Sequence, residues 1–132
     1  MMSLTMMSMR AENDSVQYDW SRLIDAVAQV ESSGNPTVVN ELGCAGLLQI
    51  SKICVRQCNI WLEKEKSQKR YTYDDRFDPE KSKEMFILTQ KYLNPENDIE
   101  RSIRLWNGGP RYTKSGTEGY YCKVMNLYLA GK

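Results

Sequence analysis

The first stretch with a clear structural pattern, residues 19–31, combines an apolar helical stripe with a carboxylate at its end. At about 100° per residue, one face of a helix here carries Trp20, Ile24, Val27 and Glu31. The run Gly34-Asn35-Pro36 then ends the helix. The pattern therefore predicts a helix, with Asp19 as its N-cap, whose last inward-facing residue is an acid rather than an apolar side chain.

The position of Glu31 raises its pKa for two reasons. An ionised carboxylate among apolar neighbours is costly, and the last turn of a helix disfavours negative charge because the negative end of the helix dipole lies there. A glutamate that stays protonated near neutral pH is suited to general acid catalysis. The alternative is that Glu31 turns out to water at a frayed helix end, and position alone does not separate the two interpretations.

The composition is that of one globular domain. The chain has 132 residues, of which 41% are hydrophobic and 27% are charged, enough to build a core. A net charge of +1 argues against a nucleic-acid partner bound through general basicity. The absence of histidine excludes Ser-His and Cys-His nucleophile pairs and removes the commonest zinc ligand. We expect a monomer with no cofactor, no metal and no membrane span.

The four cysteines leave more than one interpretation open. They are Cys44, Cys54, Cys58 and Cys122. Cys54 and Cys58 are one helical turn apart, which differs from the two-residue gap of a zinc knuckle. In an oxidising compartment four cysteines could form two disulfides in three possible pairings, or they could be buried free thiols that pack as small hydrophobes. We favour free or partly paired thiols, and a metal site is the least favoured.

The rest of the chain reads as one domain after a short arm. Residues 1–16 carry no periodic pattern and predict a flexible N-terminal arm before a domain at 17–132. The methionine-rich start lacks the basic end and long apolar run of a signal peptide. Gly43 and Gly46 indicate that the backbone turns tightly here and passes close to another group.

Four further helices are predicted, at residues 52–63, 78–93, 98–106 and from 117 onward. Their starts are indicated by capping side chains, namely Ser51, Asp78, Asp98 (or Asn97) and Thr117. Residues 37–50 are irregular, and residues 71–76 predict a loop with a short extended part. The expected fold class is therefore mainly α, with about five main helices and a short irregular or extended region.

Three short segments together resemble a known family. They are Glu31-Ser32-Ser33-Gly34-Asn35, Gly46-Leu47-Leu48-Gln49-Ile50 and Trp106-Asn107-Gly108-Gly109-Pro110. In this order they resemble the lytic transglycosylases of the soluble (SLT) type, glycoside hydrolase family 23, within the lysozyme-like superfamily that includes goose-type lysozymes. That family has a Glu-Ser motif, a Gly-Leu-Met-Gln-Ile segment and an aromatic-Asn-Ala-Gly-Pro segment.

Two further matches and three departures complete the resemblance, which covers residues 20–130. Tyr120 matches a family tyrosine in the last helix, and residues 77–80 match a Phe-Asp-Pro helix start. Leu48 replaces the family's usual Met with a similar volume. Trp106 replaces Tyr, which changes a sugar-stacking or wall contact, and Gly108 replaces Ala. None of these departures removes a residue that the family's chemistry requires.

The resemblance implies a lysozyme-like fold and an enzyme that acts on the glycan strands of peptidoglycan. It would cleave the β-1,4 bond between N-acetylmuramic acid and N-acetylglucosamine, with Glu31 as general acid and then base and the substrate's N-acetyl group assisting. A transglycosylase would leave 1,6-anhydromuramic acid ends, whereas a muramidase would activate water. A catalytically silent peptidoglycan-binding module is the remaining alternative.

The resemblance also implies roles for the surrounding residues. Ser32 would orient sugar or carboxyl oxygens, and Gln49 and Asn107 would bond sugar hydroxyls and acetamides. Tyr120 would hold Glu31, and Trp106 would contact sugar, although plain core packing is the alternative for both aromatic residues.

Two expectations concern the reaction and the place where it occurs. A water-using inverting enzyme needs a second carboxylate, for which the sequence offers Asp74, Asp75 and Glu41, although capping, turn chemistry or solvation also explains these residues. We expect the protein in the cell envelope, periplasmic or extracellular, or delivered there by a secretion system or a phage.

Overall fold

The computed structural model describes residues 17–131, so the predicted arm at 1–16 lies outside the described residues. Five α-helices and one short 3-10 helix follow in order: α1 (Ser21–Ser32), α2 (Lys52–Lys64), the 3-10 helix (Tyr73–Phe77), α3 (Pro79–Leu93), α4 (Ile99–Gly108) and α5 (Lys114–Ala130). Between α1 and α2, two isolated antiparallel bridges join Val39 to Ala45 and Ala45 to Ile50. The prediction of a mainly α fold with about five helices and a short irregular region is confirmed.

The core forms where the apolar stripe of α1 meets the inner faces of the other helices. Trp20, Ile24 and Val27 are buried, as the stripe predicts. The fully buried side chains packed with them from other elements are Leu48, Ile50, Val55, Cys58, Met85, Phe86, Ile103 and Val124. Each large apolar side chain buried in this way contributes roughly 1.5–3 kcal/mol. α5 packs against both α1 and α4, so the end of the chain closes the core.

Three helix starts were predicted correctly, and the side chains of their caps accept backbone N–H groups. Ser51 caps α2, Asp78 caps α3 and Asp98 caps α4. At α1 the prediction was wrong in detail, because Trp20 occupies the N-cap position without a side-chain hydrogen bond. Asp19 still accepts the Ser21 N–H at 2.9 Å, so the carboxylate binds the first turn from one residue earlier.

The predicted start of the last helix was also wrong. Thr113 caps α5 by accepting the Gly116 N–H, and the helix begins at Lys114. Thr117 is buried in the first turn, where its hydroxyl donates to the Thr113 carbonyl at 2.7 Å and accepts from Arg104 at 3.0 Å. Both threonines, one turn apart, are suitable N-cap residues. The buried Arg104 guanidinium of α4 binds the Thr117 hydroxyl, and Thr113 is the residue that caps the helix.

The prediction of a loop at residues 71–76 needs correction. Tyr73–Phe77 form a 3-10 helix, which a capping box between Thr72 and Asp75 starts, and an extended backbone is found at Thr72 before it. Leu129, in the last turn of α5, is 49% exposed. Five residues after the buried Val124, it points about 140° away around the helix.

The four cysteines differ in their exposure to solvent. All four cysteines carry free thiols, of which Cys58 is buried and Cys122 is exposed. Within residues 17–131 no cluster of three or more metal-binding side chains occurs. None of the helices in that range is both long enough and apolar enough to cross a membrane.

Candidate active site

Glu31 lies in the last turn of α1 and contacts α5. The Tyr120 hydroxyl donates to Glu31 Oε2 at 2.8 Å. The two residues are 89 positions apart and meet because α5 packs along α1. The helix pattern left two interpretations open for Glu31. In the structure its carboxyl group faces inward, toward α5, and does not turn out to water.

Burial governs the ionisation of this pair. Desolvation raises the pKa of Glu31 to about 7, and the hydrogen bond from Tyr120, which stabilises the carboxylate, opposes that rise. The raised pKa predicted for Glu31 is thus present, with desolvation rather than the helix dipole as its leading cause. Burial and the neighbouring Glu31 also raise the pKa of the Tyr120 phenol, which keeps Tyr120 protonated as a donor.

The α1–α2 loop (residues 38–50) forms one side of the site and passes very close to the 3-10 helix. Gly46 has a φ of +85°, and a Cβ added there would lie 1.7 Å from the Arg76 carbonyl oxygen. The predicted close approach is confirmed at Gly46. At Gly43 nothing lies within 4 Å of an added Cβ. Glycine is favoured there because of its left-handed backbone conformation, with a φ of +84°, and not because of a close contact.

Ser32 binds the α1–α2 loop. Its hydroxyl donates to the Leu47 carbonyl at 2.8 Å and lies 3.2 Å from the Ala28 carbonyl. The side chain is buried behind the loop, and a hydroxyl has one proton to donate. Ser32 thus links the end of α1 to the loop, a contact that the sequence did not predict, and its sugar-orienting role stays a prediction.

Gln49 presents an acceptor to the site. Its Nε2 donates to the carbonyls of Val38 and Gly46, at 2.9 Å in both cases. Both amide hydrogens are therefore committed to the backbone of the loop, and Oε1 is the group that remains for a ligand. Gln49 also has a positive φ of 52°, so the loop backbone directs this side chain at some conformational cost.

Trp106 and Asn107 end the facing helix, α4. The Trp106 indole N–H donates to the Leu48 carbonyl at 3.1 Å, and its ring packs 4.8 Å from that of Phe86. Trp106 is thus part of the wall and also supports the loop. Asn107 is exposed, and Gly109, with a φ of +79°, turns the chain away immediately afterwards.

These elements enclose a cleft of about 470 Å³, a size usual for ligand sites. Four of the predicted site residues line it: Glu31, Gln49, Trp106 and Asn107. Ser32 and Tyr120 are not part of the lining, and Tyr120 reaches it through its hydrogen bond to Glu31.

Sequence reasoning missed the apolar rim of the cleft. Leu42 is 89% exposed and Ile53 is 69% exposed, and both line the opening. Leu42 lies in a turn in which Asn40 Oδ1 accepts the Leu42 N–H at 2.9 Å and the Cys44 N–H at 3.0 Å. The Asn-Glu-Leu-Gly stretch at 40–43 was a turn signal that could have indicated this rim.

Glu31 is the sole carboxylate among the described residues that line the cleft. Asp75 belongs to the capping box of the 3-10 helix, Asp74 lies beside it on the surface, and Glu41 is exposed. None of these three candidates for a second carboxylate lines the cleft, and for Asp75 the capping interpretation is confirmed.

The fold and this site define a mainly helical, lysozyme-like domain with one half-buried glutamate among the described residues that line its cleft. The family model described as Transglycosylase SLT domain matches residues 8–120. The chain belongs to this family.

One solved structure extends the comparison of folds. The chain is similar to the 70 kDa soluble lytic transglycosylase SLT70 from Escherichia coli, with a TM-score of 0.69 and 20% sequence identity. The match covers 87% of this chain and 22% of that chain, so this chain spans about a fifth of the length of that protein. A comparison with curated proteins gives no match.

Proposed function

We propose that this protein is a peptidoglycan lytic transglycosylase that cleaves the β-1,4 bond between N-acetylmuramic acid and N-acetylglucosamine. The observation that carries the proposal is the desolvated Glu31, which lines the cleft with a pKa of about 7. Membership of the SLT family supports the substrate and the reaction class.

In the first step, protonated Glu31 donates its proton to the glycosidic oxygen as the bond from that oxygen to the anomeric carbon breaks. Because Tyr120 occupies Oε2, we assign the transferred proton to Oε1. Positive charge develops at the anomeric carbon, and no second carboxylate lines the described part of the cleft to stabilise it. The substrate's own N-acetyl group would supply that stabilisation.

In the second step, Glu31 acts as a base. It takes the proton of the 6-hydroxyl of the muramic acid residue, and the freed oxygen bonds to the anomeric carbon to give a 1,6-anhydro end. One group can serve as acid and then base when its pKa is close to the working pH, and the pKa of Glu31 meets this requirement.

We further propose that the other lining residues position the glycan. Gln49 would accept a hydrogen bond from a sugar hydroxyl or an acetamide N–H through its free Oε1. Asn107, which is exposed on the facing wall, would contribute both a donor and an acceptor. The Trp106 ring would contact a sugar face, and Ser32 would orient sugar or carboxyl oxygens from the end of α1.

The variant Glu31→Gln tests the catalytic assignment, because it keeps the size of the side chain and removes the exchangeable proton. We expect glycan cleavage to fall by roughly 100-fold or more, measured as solubilisation of purified peptidoglycan. Glu96→Gln is the control, since Glu96 is exposed and lies outside the cleft. Equal clearance by Glu31→Gln and the parent would rule out Glu31 as the acid.

Mass spectrometry of the products tests the second step. Anhydro ends support the transglycosylase, whereas reducing ends indicate a muramidase that activates water. Binding to glycan strands without turnover by the parent protein would indicate a silent binding module. Since peptidoglycan lies in the cell envelope, we place the site of action there.

A further inference from the structure

The lining of the cleft is polar but carries very little charge. Beside Glu31, no acidic or basic side chain is among the described residues that line it. The hydrogen-bonding side chains of the lining are mainly amides and hydroxyls, from Asn40, Gln49, Ser51, Gln57, Thr89 and Asn107. An amide offers both donors and an acceptor to an uncharged ligand. The cleft is therefore suited to a neutral ligand that is rich in hydroxyl and amide groups.

One face of α2 forms a long wall of this cleft. Ser51, Cys54, Gln57 and Trp61 recur every three or four residues, so they share a face of the helix, and all four line the cleft. Because an α-helix rises about 1.5 Å per residue, the segment from Ser51 to Trp61 spans about 15 Å along the helix axis. The wall thus extends from the loop segment that carries Gln49 to the far end of α2.

Gln57 presents an uncommitted amide on this wall. It is half-buried and lines the cleft, and its side-chain amide is not hydrogen-bonded to any described residue. The amide of Gln49, by contrast, donates both of its hydrogens to loop carbonyls. Since polar groups that are withdrawn from bulk water are generally paired, the free Gln57 amide is available to a ligand both as a donor and as an acceptor.

Trp61, one turn further along α2, is held rigidly in place. Its indole stacks on the Tyr92 ring of α3, with the centroids 4.8 Å apart and the planes 1° from parallel. The Tyr92 hydroxyl donates to Glu65, which also accepts from Lys91 at 2.9 Å. Because Tyr92 covers one face of the indole and only 8% of Trp61 is exposed, the part of Trp61 that lines the cleft is a fixed apolar surface beside the Gln57 amide.

We propose that Gln57 and Trp61 form a second sugar-binding position in the cleft, separate from the position at Glu31. Gln57 bonds the acetamide of an N-acetylated sugar: Nε2 donates to the acetamide oxygen, and Oε1 accepts the acetamide N–H. Trp61 forms the apolar floor under the sugar ring. The identity of the ligand as a glycan strand rests on the proposed function. The position holds rings beyond the cleaved bond, so it favours strands over short fragments.

Binding of tetra-N-acetylchitotetraose, a neutral oligomer of N-acetylglucosamine, tests the position directly. The isotope-labelled full chain is titrated with the oligomer, and the side-chain N–H signals are followed by NMR. The Gln57 amide and Trp61 indole signals should shift, whereas those of Gln68 and Trp20, which do not line the cleft, should stay in place. Binding that leaves the Gln57 and Trp61 signals unmoved, or a complete lack of binding, would overturn the proposal.

The variant Gln57→Ala tests the contribution of the amide. It should weaken binding of the oligomer several-fold, since two hydrogen bonds to the acetamide are lost. Gln68→Ala is the matched control, because Gln68 is exposed and lies outside the cleft. Equal affinities of Gln57→Ala and the parent would reject the assigned role of Gln57.

Kinetics on purified peptidoglycan separate this role from one in the reaction itself. Because Gln57 holds a ring away from the reacting atoms, Gln57→Ala should raise KM several-fold and leave kcat near that of the parent. A fall in kcat at unchanged KM would place Gln57 at the reacting bond and reject the second position. If the parent binds the oligomer through Gln57 but cleaves no glycan, the proposed function alone fails. If the parent cleaves glycan while the oligomer leaves the Gln57 signal unmoved, the second position alone fails.

Discussion

At the scale of single residues, the site depends on one contact between a carboxyl group and a phenol. Glu31 is desolvated enough for its pKa to rise to about 7, and the hydrogen bond from Tyr120 limits that rise. The tyrosine therefore has two effects on Glu31: it fixes the orientation of Oε2, and it sets how far the pKa moves.

Tyr120→Phe tests both effects. Loss of a hydrogen bond that stabilises the charged form raises the pKa of Glu31 above about 7. Because the acid must be protonated in the free enzyme, the alkaline limb of kcat/KM should shift to higher pH. The rate at the optimum should fall roughly tenfold, the equivalent of one hydrogen bond.

The control for this prediction is Tyr121→Phe. Tyr121 lies next in sequence but contacts the Arg104 guanidinium, 4.3 Å from its ring centroid, rather than Glu31. Its pH profile should match that of the parent. A profile for Tyr120→Phe that moves to lower pH, or does not move, contradicts the assigned effect of the hydrogen bond.

At the scale of secondary-structure elements, the α1–α2 loop holds the cleft in shape. The buried Arg76 guanidinium donates to the Gly43 carbonyl at 2.9 Å and to the Ile50 carbonyl at 3.1 Å. Ser32 and Trp106 bind the carbonyls of Leu47 and Leu48 from α1 and α4. Three separate elements thus fix one irregular loop, and this is how the described part of the chain, in which no sheet occurs, builds a concave site.

Gly46→Ala should break this arrangement. The new Cβ would lie 1.7 Å from the Arg76 carbonyl oxygen, and neither backbone can withdraw without losing its hydrogen bonds. We expect the free energy of unfolding to fall by roughly 3 kcal/mol or more, from overpacking and left-handed strain together. Urea denaturation measures the change.

Gly43→Ala separates the two contributions. It has a similar φ, +84° against +85°, but open space around the added Cβ. Its loss should be confined to the strain of a left-handed alanine, about 1–2 kcal/mol. Equal losses for the two variants would show that the contact with Arg76 has no energetic weight.

At the scale of the whole molecule, burying Glu31 makes stability depend on pH. The unfolded chain releases this proton near pH 4.5, its ordinary value, and the folded protein near pH 7. Between these values the unfolded state holds fewer protons than the folded state. Stability from this group is therefore complete below about pH 4.5 and is lost as the pH rises through about 7.

Glu31→Gln removes this dependence, since an amide does not ionise. Relative to the parent, the variant should gain roughly 2 kcal/mol at pH 8 and nothing at pH 4. Chemical denaturation at the two pH values measures the difference, with Glu96→Gln as the exposed control. A gain at pH 4 as large as that at pH 8 would mean that the effect is not ionisation.

Much of the fold follows from local patterns in the sequence. Three of the five helix starts follow from capping residues, and the buried stripe of α1 follows from its periodicity. The misplaced start of α5 has a different origin. Thr113 and Thr117 are equivalent as local signals, and the choice between them depends on Arg104, which is 4% exposed and paired with Glu100 and Glu118.

The properties of the site also separate into those that follow from local sequence patterns and those that depend on tertiary packing. The helical period by itself directs Glu31 toward the apolar side of α1, because spacing along one helix decides which side chains share a face. It does not decide whether Glu31 is desolvated, which partner it has, or whether a second carboxylate faces it. Those properties arise from α5, α4 and the α1–α2 loop meeting at the end of α1, and only long-range packing brings such distant segments of the chain together.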